Sequence, residues 1–312
     1  MDKEQQEFDL SYIAAPVDKA LIKKELSDGR FVRKTNKANN EIYIVNHHNS
    51  PNVMREIGRL REVTFGSAGG GTGKEIDVDD YDLSENCYEQ LIVWAPTDEE
   101  IIGGYRFIDC SKVLNTQPVE LSTAHYFNFS DEFKSDFMPH TIELGRSWVQ
   151  PNFQPSKNSR KGIFALDNLW DGLGAIVVSN PHIKHFFGKV TMYTSYNSEA
   201  RDAILAFMEH FFPDTNKLVT AIHPLGLTTD VSGFLGQIEG KEFKEAIKEL
   251  SAYCRARGEN IPPLINNYMQ LSSTMKSFGT ASNPDFGGVE ETGILITIDD
   301  IFDAKKERHL NY

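Results

Sequence analysis

Side chains with acid–base or anion-handling chemistry gather at a few places along this chain. Glu143-Leu144-Gly145-Arg146 lies inside a β-like run, HTIELGRSWV (140–149), and Tyr105-Arg106 lies inside another, IIGGYRFIDC (101–110). In a regular strand Glu143 and Gly145 face one way, Leu144 and Arg146 the other. Glycine inside a strand marks a bulge or a close backbone approach. A bulge near Gly145 brings Glu143 and Arg146 toward one cleft, with Arg106 on the neighbouring strand. A carboxylate between strands, adjusted by burial and by adjacent guanidinium groups, can act as a general base. A structural ion-pair network perturbs such groups equally, and residue types alone leave both accounts standing.

The loop QPNFQPSKNSRKG (150–162) places Lys157, Arg160 and Lys161 just ahead of an apolar run. If that run is a helix, cations crowd an end that already carries partial positive charge. They make sense there around a bound anion such as a phosphate or pyrophosphate, or as a solvated basic loop. Arg61 and Phe65 precede a glycine-rich stretch, and Asp79 and Asp82 follow it. Such charges can clamp a flexible segment over a cleft. The stretch itself contains GGGTGK (69–74), but Ala68 stands where a phosphate-binding loop needs glycine, and Glu75 where it needs Ser or Thr. It is expected to be a mobile glycine loop. His47-His48 has no acidic or thiol partner at metal-site spacing, so no metal is expected. No serine or cysteine sits in a nucleophile elbow.

The elements that must carry these groups follow from periodicity. EIYIVN (41–46) alternates as a strand, and Ser50-Pro51 opens a helix with Val53, Ile57, Leu60 and Thr64 on one side. YEQLIVWAP and IIGGYRFIDC form a hairpin. A short helix is expected near SDEFKSDF (130–137). IFALDNLWDGLGAIVV is apolar nearly all round and reads as a buried helix. GKVTMYTSY, SEARDAILAFMEHFF, KEFKEAIKELSAYCRAR, IPPLINNYMQL and GILITID continue as strand, helix, helix, helix and strand. The order predicts a mixed-sheet α/β domain over 41–230, a loosely packed lead-in over 1–40, and a C-terminal helical and stranded extension over 231–312 packed on the core.

Composition narrows the class. The chain has 312 residues, 40% of them hydrophobic and 25% charged, enough for a real core. A formal charge of −13 argues against nucleic acid as a partner. Cys87, Cys110 and Cys254 are scattered, as expected in a reducing compartment. The acidic N-terminus has no signal-peptide pattern, and no run reaches the ~20 apolar residues of a membrane span. A cytoplasmic protein is expected, with contact at the inner face of the membrane open to it.

In sequence order, RLREVTF, DVDDYDL, GGYRF, STAHYFNFSDEF, ELGRSWV, a buried helix containing LW, VTMYTSYN, IPPLINNYMQLSS, NPDFGG, ILITIDD and His309 resemble the amino-acid N-acyltransferases of ornithine- and glycine-lipid synthesis. These are hemolysin-like members of the GNAT superfamily, distantly related to acyl-homoserine-lactone synthases. The resemblance covers about residues 53–310. It implies a GNAT-like acyl-CoA N-acyltransferase fold, with central strands parted to admit a pantetheine arm. It implies direct transfer of a 3-hydroxy fatty acyl group from acyl carrier protein to the α-amine of glycine or ornithine. No cofactor is then permanently bound; the acyl-phosphopantetheine thioester is the donor substrate.

By the same resemblance Glu143 is the base, and Arg106 and Arg146 order the cleft. Arg61, Asp79 and Asp82 are the ion-pair residues of an N-terminal lid. Lys157, Ser159, Arg160, Lys161 and Gly162 receive the carrier's phosphate. Two alternatives stand beside it: a lactone-type synthase, and a GNAT-shaped protein that binds acyl carrier protein without catalysis. The lactone synthases place a tryptophan shortly after the Phe of the helix, where this chain has glycines.

Overall fold

The computed structural model describes residues 9–116, 118–154 and 162–310. Its first elements lie in the stretch expected to be a loose lead-in. Helix α1 (Lys19–Glu25) begins where the Asp18 carboxylate accepts from Ala20 N–H. Strand β1 (Phe31–Lys34) pairs antiparallel with β2 (Glu41–Val45). The stretch is polar, yet it supplies what helix α2 (Pro51–Gly66) lacks. Ser50 makes no side-chain cap there. Instead Glu25 accepts from the N–H groups of Asn52 and Val53, at 3.2 and 2.9 Å. Unpaired N–H groups at a helix start need such a partner, so α1 is tied in by polar contacts that hydrophobic periodicity does not register.

The chain continues through α3 (Asp80–Leu83), the hairpin β3 (Glu89–Ala95) and β4 (Glu100–Asp109), then β5 (Phe127–Phe129) and β6 (Thr141–Val149). A helical turn, Phe133–Phe137, stands where a short helix was expected. Helix α4 (Ala165–Ser179) crosses over to β7 (His185–Met192), which is parallel to β6. Then come α5 (Ser198–Phe211), β8 (Val219–Ala221), α6 (Ser232–Ile238), α7 (Phe243–Arg255) and α8 (Pro263–Met269). Strands β9 (Lys276–Asn283) and β10 (Val289–Thr297) and helix α9 (Asp303–His309) close the chain.

Among the described residues the main sheet has eight strands in the order β1-β2-β3-β4-β6-β7-β10-β9. The C-terminal part is therefore more than a layer packed on a finished core. β10 lies against β7 along Glu290–Thr297 and carries β9 on its outer side. A boundary at 230 cuts this sheet.

Alternation along the strands gives the sheet two apolar faces. Leu91, Tyr105, Leu144, Phe186 and Ile294 pack with α4, α5 and α7. Ile92, Trp94 and Trp148 pack on the opposite face with Val53, Ile57 and Leu60 of α2. Farther along that second face, Phe133, Phe187, Phe278 and Leu295 form an aromatic-rich patch. The arrangement is a mixed-sheet α/β domain, as the order of elements predicted.

Candidate active site

Strands β6 and β7 pair only from Thr141–Leu144 to His185–Gly188. Beyond that point β6 runs on to Val149 and β7 to Met192 without pairing to each other. A cleft of about 680 Å³ occupies the gap. On the α2 side it is walled by Thr64, Phe65, Arg106, Arg146, Lys189 and Glu291; on the α4 side by Leu144, Phe186, Ile294, Ile296, Leu264 and Tyr268. One end is charged and the other apolar because strand side chains alternate between the faces. The parted sheet joins the two.

The bulge foreseen near Gly145 is present, one residue further on. Gly104 opposes Trp148 while Arg106 opposes Gly145, so β6 carries an extra residue between them. Arg146 takes a left-handed φ of 44° there. Its Nε and Nη2 then reach Asp77 Oδ2 and Oδ1 at 2.8 and 3.1 Å, and its guanidinium lies 4.3 Å from the Phe286 ring centre. Asp77 was not singled out from sequence, although it opens the same acidic run as Asp79 and Asp82.

The acidic run meets three arginines. Arg61 Nη1 lies 2.9 Å from Asp82 Oδ2, and both side chains are fully buried. Arg106 Nη1 lies 2.7 Å from Asp79 Oδ2 and 3.4 Å from Asp82 Oδ2. Asp79 and Asp82 also bond each other's backbone N–H in a reciprocal cap that starts α3. Burial alone would raise the Asp79 carboxyl, but Arg106 and then Arg146 outweigh it and hold it at about 2. Arg106 keeps a buried Nε with no partner among the described residues.

Glu143, expected to face the cleft, does not line it. The side chain is fully buried. Its Oε1 accepts from Tyr88 Oη at 2.9 Å and Ser122 Oγ at 2.6 Å, and Oε2 from Thr123 Oγ1 at 2.7 Å. The short helical segment Ser122–His125 lies over it and places those hydroxyls. Ser122, by contrast, does line the cleft. Among the three hydroxyls that Glu143 accepts from, Ser122 is the one on the cleft wall.

Strand-end reasoning missed several cleft residues. Lys189 Nζ lies 2.8 Å from Glu291 Oε1, and Thr191 Oγ1 donates to Oε2 at 2.8 Å. Burial weakens Lys189 as a base, against the pull of Glu291. Burial pushes up the hydroxyls of Tyr105 and Tyr268, both on the cleft wall. Glu291 and Lys189 could not be paired from sequence, because nothing local says that β10 lies beside β7.

Lys157, Ser159, Arg160 and Lys161 fall outside the described residues. Gly162, the last of that expected phosphate site, is on the cleft wall with φ at 90°. A Cβ there would run into the Phe153 carbonyl, so the position needs glycine.

The glycine loop has its own anion, and it is internal. Glu62 Oε1 accepts from Gly73 N–H and Oε2 from Thr72 N–H, at 2.8 and 2.9 Å. Thr72 Oγ1 and Tyr12 Oη add bonds of 2.8 Å each. Successive N–H groups that look made for phosphate are satisfied by a carboxylate of α2. His47 and His48 also gain a neighbour invisible in the sequence: their ring nitrogens and the Cys87 thiol lie within 4.8 Å of one another. None of the three lines the cleft.

Residues 60–161 match the family described as an acetyltransferase (GNAT) domain. The glycine N(alpha)-acyltransferase of Phocaeicola vulgatus is 51% identical over 96% of this chain and 92% of its own length. That of Bacteroides thetaiotaomicron is 52% identical over 96% of this chain and 89% of its own. A CoA-dependent acyl-homoserine lactone synthase, BjaI, solved with SAM and isopentyl-CoA, aligns over 86% of this chain and 89% of its own, at 12% identity and a TM-score of 0.37. The AHL synthase LasI aligns over 48% of this chain and 71% of its own, at 15% identity and a TM-score of 0.31. By its identity to the two full-length relatives, the chain belongs to the GNAT acyltransferase family that contains these glycine N(alpha)-acyltransferases.

Proposed function

We propose that this chain moves a 3-hydroxy fatty acyl group from an acyl-carrier-protein thioester to the α-amine of glycine, a step of amino-acid lipid synthesis. The relatives support the acceptor. The observation that carries the reading is the cleft through the parted strands, charged on the α2 side and apolar on the α4 side. The apolar side takes the thioester arm and the fatty chain. The charged side takes the amino acid, whose carboxylate answers Arg106 Nε and Arg146.

The amine attacks the thioester carbon as its proton passes to Ser122 Oγ while the Ser122 proton moves to Glu143. The oxyanion is held by the N–H that the β6 bulge frees from the ladder near Arg146. On collapse the C–S bond breaks, the C–N bond remains, and the thiolate takes the relayed proton back from Glu143 through Ser122, which resets the base. The basic loop 157–162 receives the phosphate of the arm and the acidic surface of the carrier. The reaction belongs in the cytoplasm, and the product's chain leaves past the exposed Ile163 and Leu166 toward a membrane surface.

The test is mass spectrometry of reactions containing a 3-hydroxyacyl thioester, on acyl carrier protein or on CoA, with glycine, ornithine or S-adenosylmethionine. N-acylglycine formed with one thiol per product is expected. Product from ornithine alone moves the acceptor, and a lactone overturns the reading.

A further inference from the structure

The charged side chains on the cleft wall, among the described residues, are Arg106, Arg146, Lys189 and Glu291. Arg106 is engaged by Asp79 and Asp82, and Arg146 by Asp77. Glu291 is thus the carboxylate that meets the cleft directly. It stands on β10 opposite Thr191 of β7, at the border of the gap that β6 leaves.

Its hydrogen bonds are unevenly shared. Oε1 accepts from Lys189 Nζ at 2.8 Å and from Asn283 Nδ2 at 3.1 Å, while Oε2 accepts from Thr191 Oγ1 at 2.8 Å. Each carboxylate oxygen offers two lone-pair positions. Among the described residues both are used on Oε1, and one is open on Oε2. Burial pushes the Glu291 carboxyl up, but Lys189 outweighs it and keeps the group ionised. Lys189 supplies one cation at Oε1, and the open position on Oε2 can accept a further charge-assisted N–H bond.

Arg146 provides the complementary charge. Its pair with Asp77 uses Nε and Nη2 and leaves Nη1 outside it. An α-amino acid carries an ammonium and a carboxylate on one carbon, and so presents a group complementary to each of these two wall residues.

We propose that Glu291 Oε2 is the anchor for the acceptor's ammonium group, with Arg146 taking the acceptor's carboxylate. This rests on the N-acyltransfer reading and deepens it: the cleft recognises a small α-amino acid by its two charged ends. Thr191, Asn283 and Lys189 are positioning residues that hold the carboxylate in place. The anchor is separate from the Ser122–Glu143 pair, which handles the proton.

Steady-state kinetics with glycine and thioester varied in turn, and calorimetric titration with glycine alone, test it on Glu291→Gln and Glu291→Asp. Both variants are checked by thermal melting. Loss of a charged hydrogen bond predicts a rise of about tenfold or more in KM and Kd for glycine, with KM for the thioester unchanged. A folded E291Q with wild-type KM and Kd for glycine overturns the anchor. If E291Q fails to fold, E291D keeps the ion pair but shortens the reach, and wild-type glycine binding by E291D overturns it instead. If the wild type makes no N-acylglycine, the transfer reading falls separately. The titration still decides the anchor: glycine binding lost in E291D supports it, and no binding by the wild type overturns it.

Discussion

Glu143 shows how far a residue's identity carries and where it stops. ELGR suggested a carboxylate in a strand beside two arginines, and the chain has one. What the motif lacks is the segment Ser122–His125, some twenty residues upstream, that covers the carboxylate with hydroxyls. A strand's own pattern gives the face of a side chain but not what lies over that face. For the proposed reaction the consequence is a relay. Glu143→Gln removes the proposed proton acceptor, and Ser122→Ala removes the contact through which it would act. Each is expected to lower kcat by about 10²-fold, the lower end for a lost general base, with little change in KM for glycine. Because both act on one proton path, the double variant should lose no more than either alone. Wild-type kcat in a folded Ser122→Ala enzyme would remove the relay. Phenolic and hydroxyl groups of this kind carry no sequence signature, which is why Tyr105 registered only as the neighbour of Arg106.

At the scale of elements, the glycine loop and the acidic run behind it act as one strap across α2. The run was named as an ion-pair partner of Arg61 through the family resemblance, since charges alone fit a solvated face as well. That the loop's N–H groups close on Glu62 was not, since the GGGTGK pattern is silent about which anion it finds. Glu62→Ala leaves Thr72 N–H, Gly73 N–H and the Tyr12 hydroxyl without their acceptor. A loss of about 2–3 kcal/mol is expected, read as a lower midpoint in urea and faster proteolysis between residues 67 and 76. The acidic run makes a pH prediction as well. Asp79 is held at about 2, below its ordinary 3.8. A carboxyl depressed on folding stabilises fully above its unfolded value, and the contribution disappears as pH falls through the folded one. The strap is therefore expected to hold down to about pH 4 and to weaken between 4 and 2. Asp79→Asn should flatten the fall in stability across that window, measured by urea unfolding at a series of pH values. An unchanged slope would mean that Asp79 is not depressed by its arginines.

The whole molecule is where periodicity runs out. Helices such as α4, α5 and α7 announce themselves by their apolar faces, and the β3–β4 hairpin by its two runs and the turn between them. β9, KSFGTASN, has no alternation, and it is defined by pairing with β10 rather than by its own residues. Strand order is likewise absent from local pattern, so the last eighty residues read as an addition. They supply part of the cleft wall, Tyr268, Phe286 and Glu291 among it. β10 covers β7 from Glu290 to Thr297 and brings Glu291 to Lys189. The two ends of the chain also meet on α4: the Asp171 carboxylate accepts from Asn36 N–H at 2.8 Å and lies 2.8 Å from His309 Nδ1. A fragment spanning 41–230 keeps every candidate site residue within the described residues, yet it loses the cap on α2, the β10 partner of β7 and the counter-charge of Lys189. Lys189 would then be a buried ammonium without its anion, which is strongly destabilising, beside a central strand left with open hydrogen bonds. The fragment is expected to lack a cooperative thermal transition and to aggregate. A cooperatively melting 41–230 fragment would show instead that the core closes without the C-terminal strands. In that case the Lys189–Glu291 pair would be an accessory to the cleft rather than one of its walls.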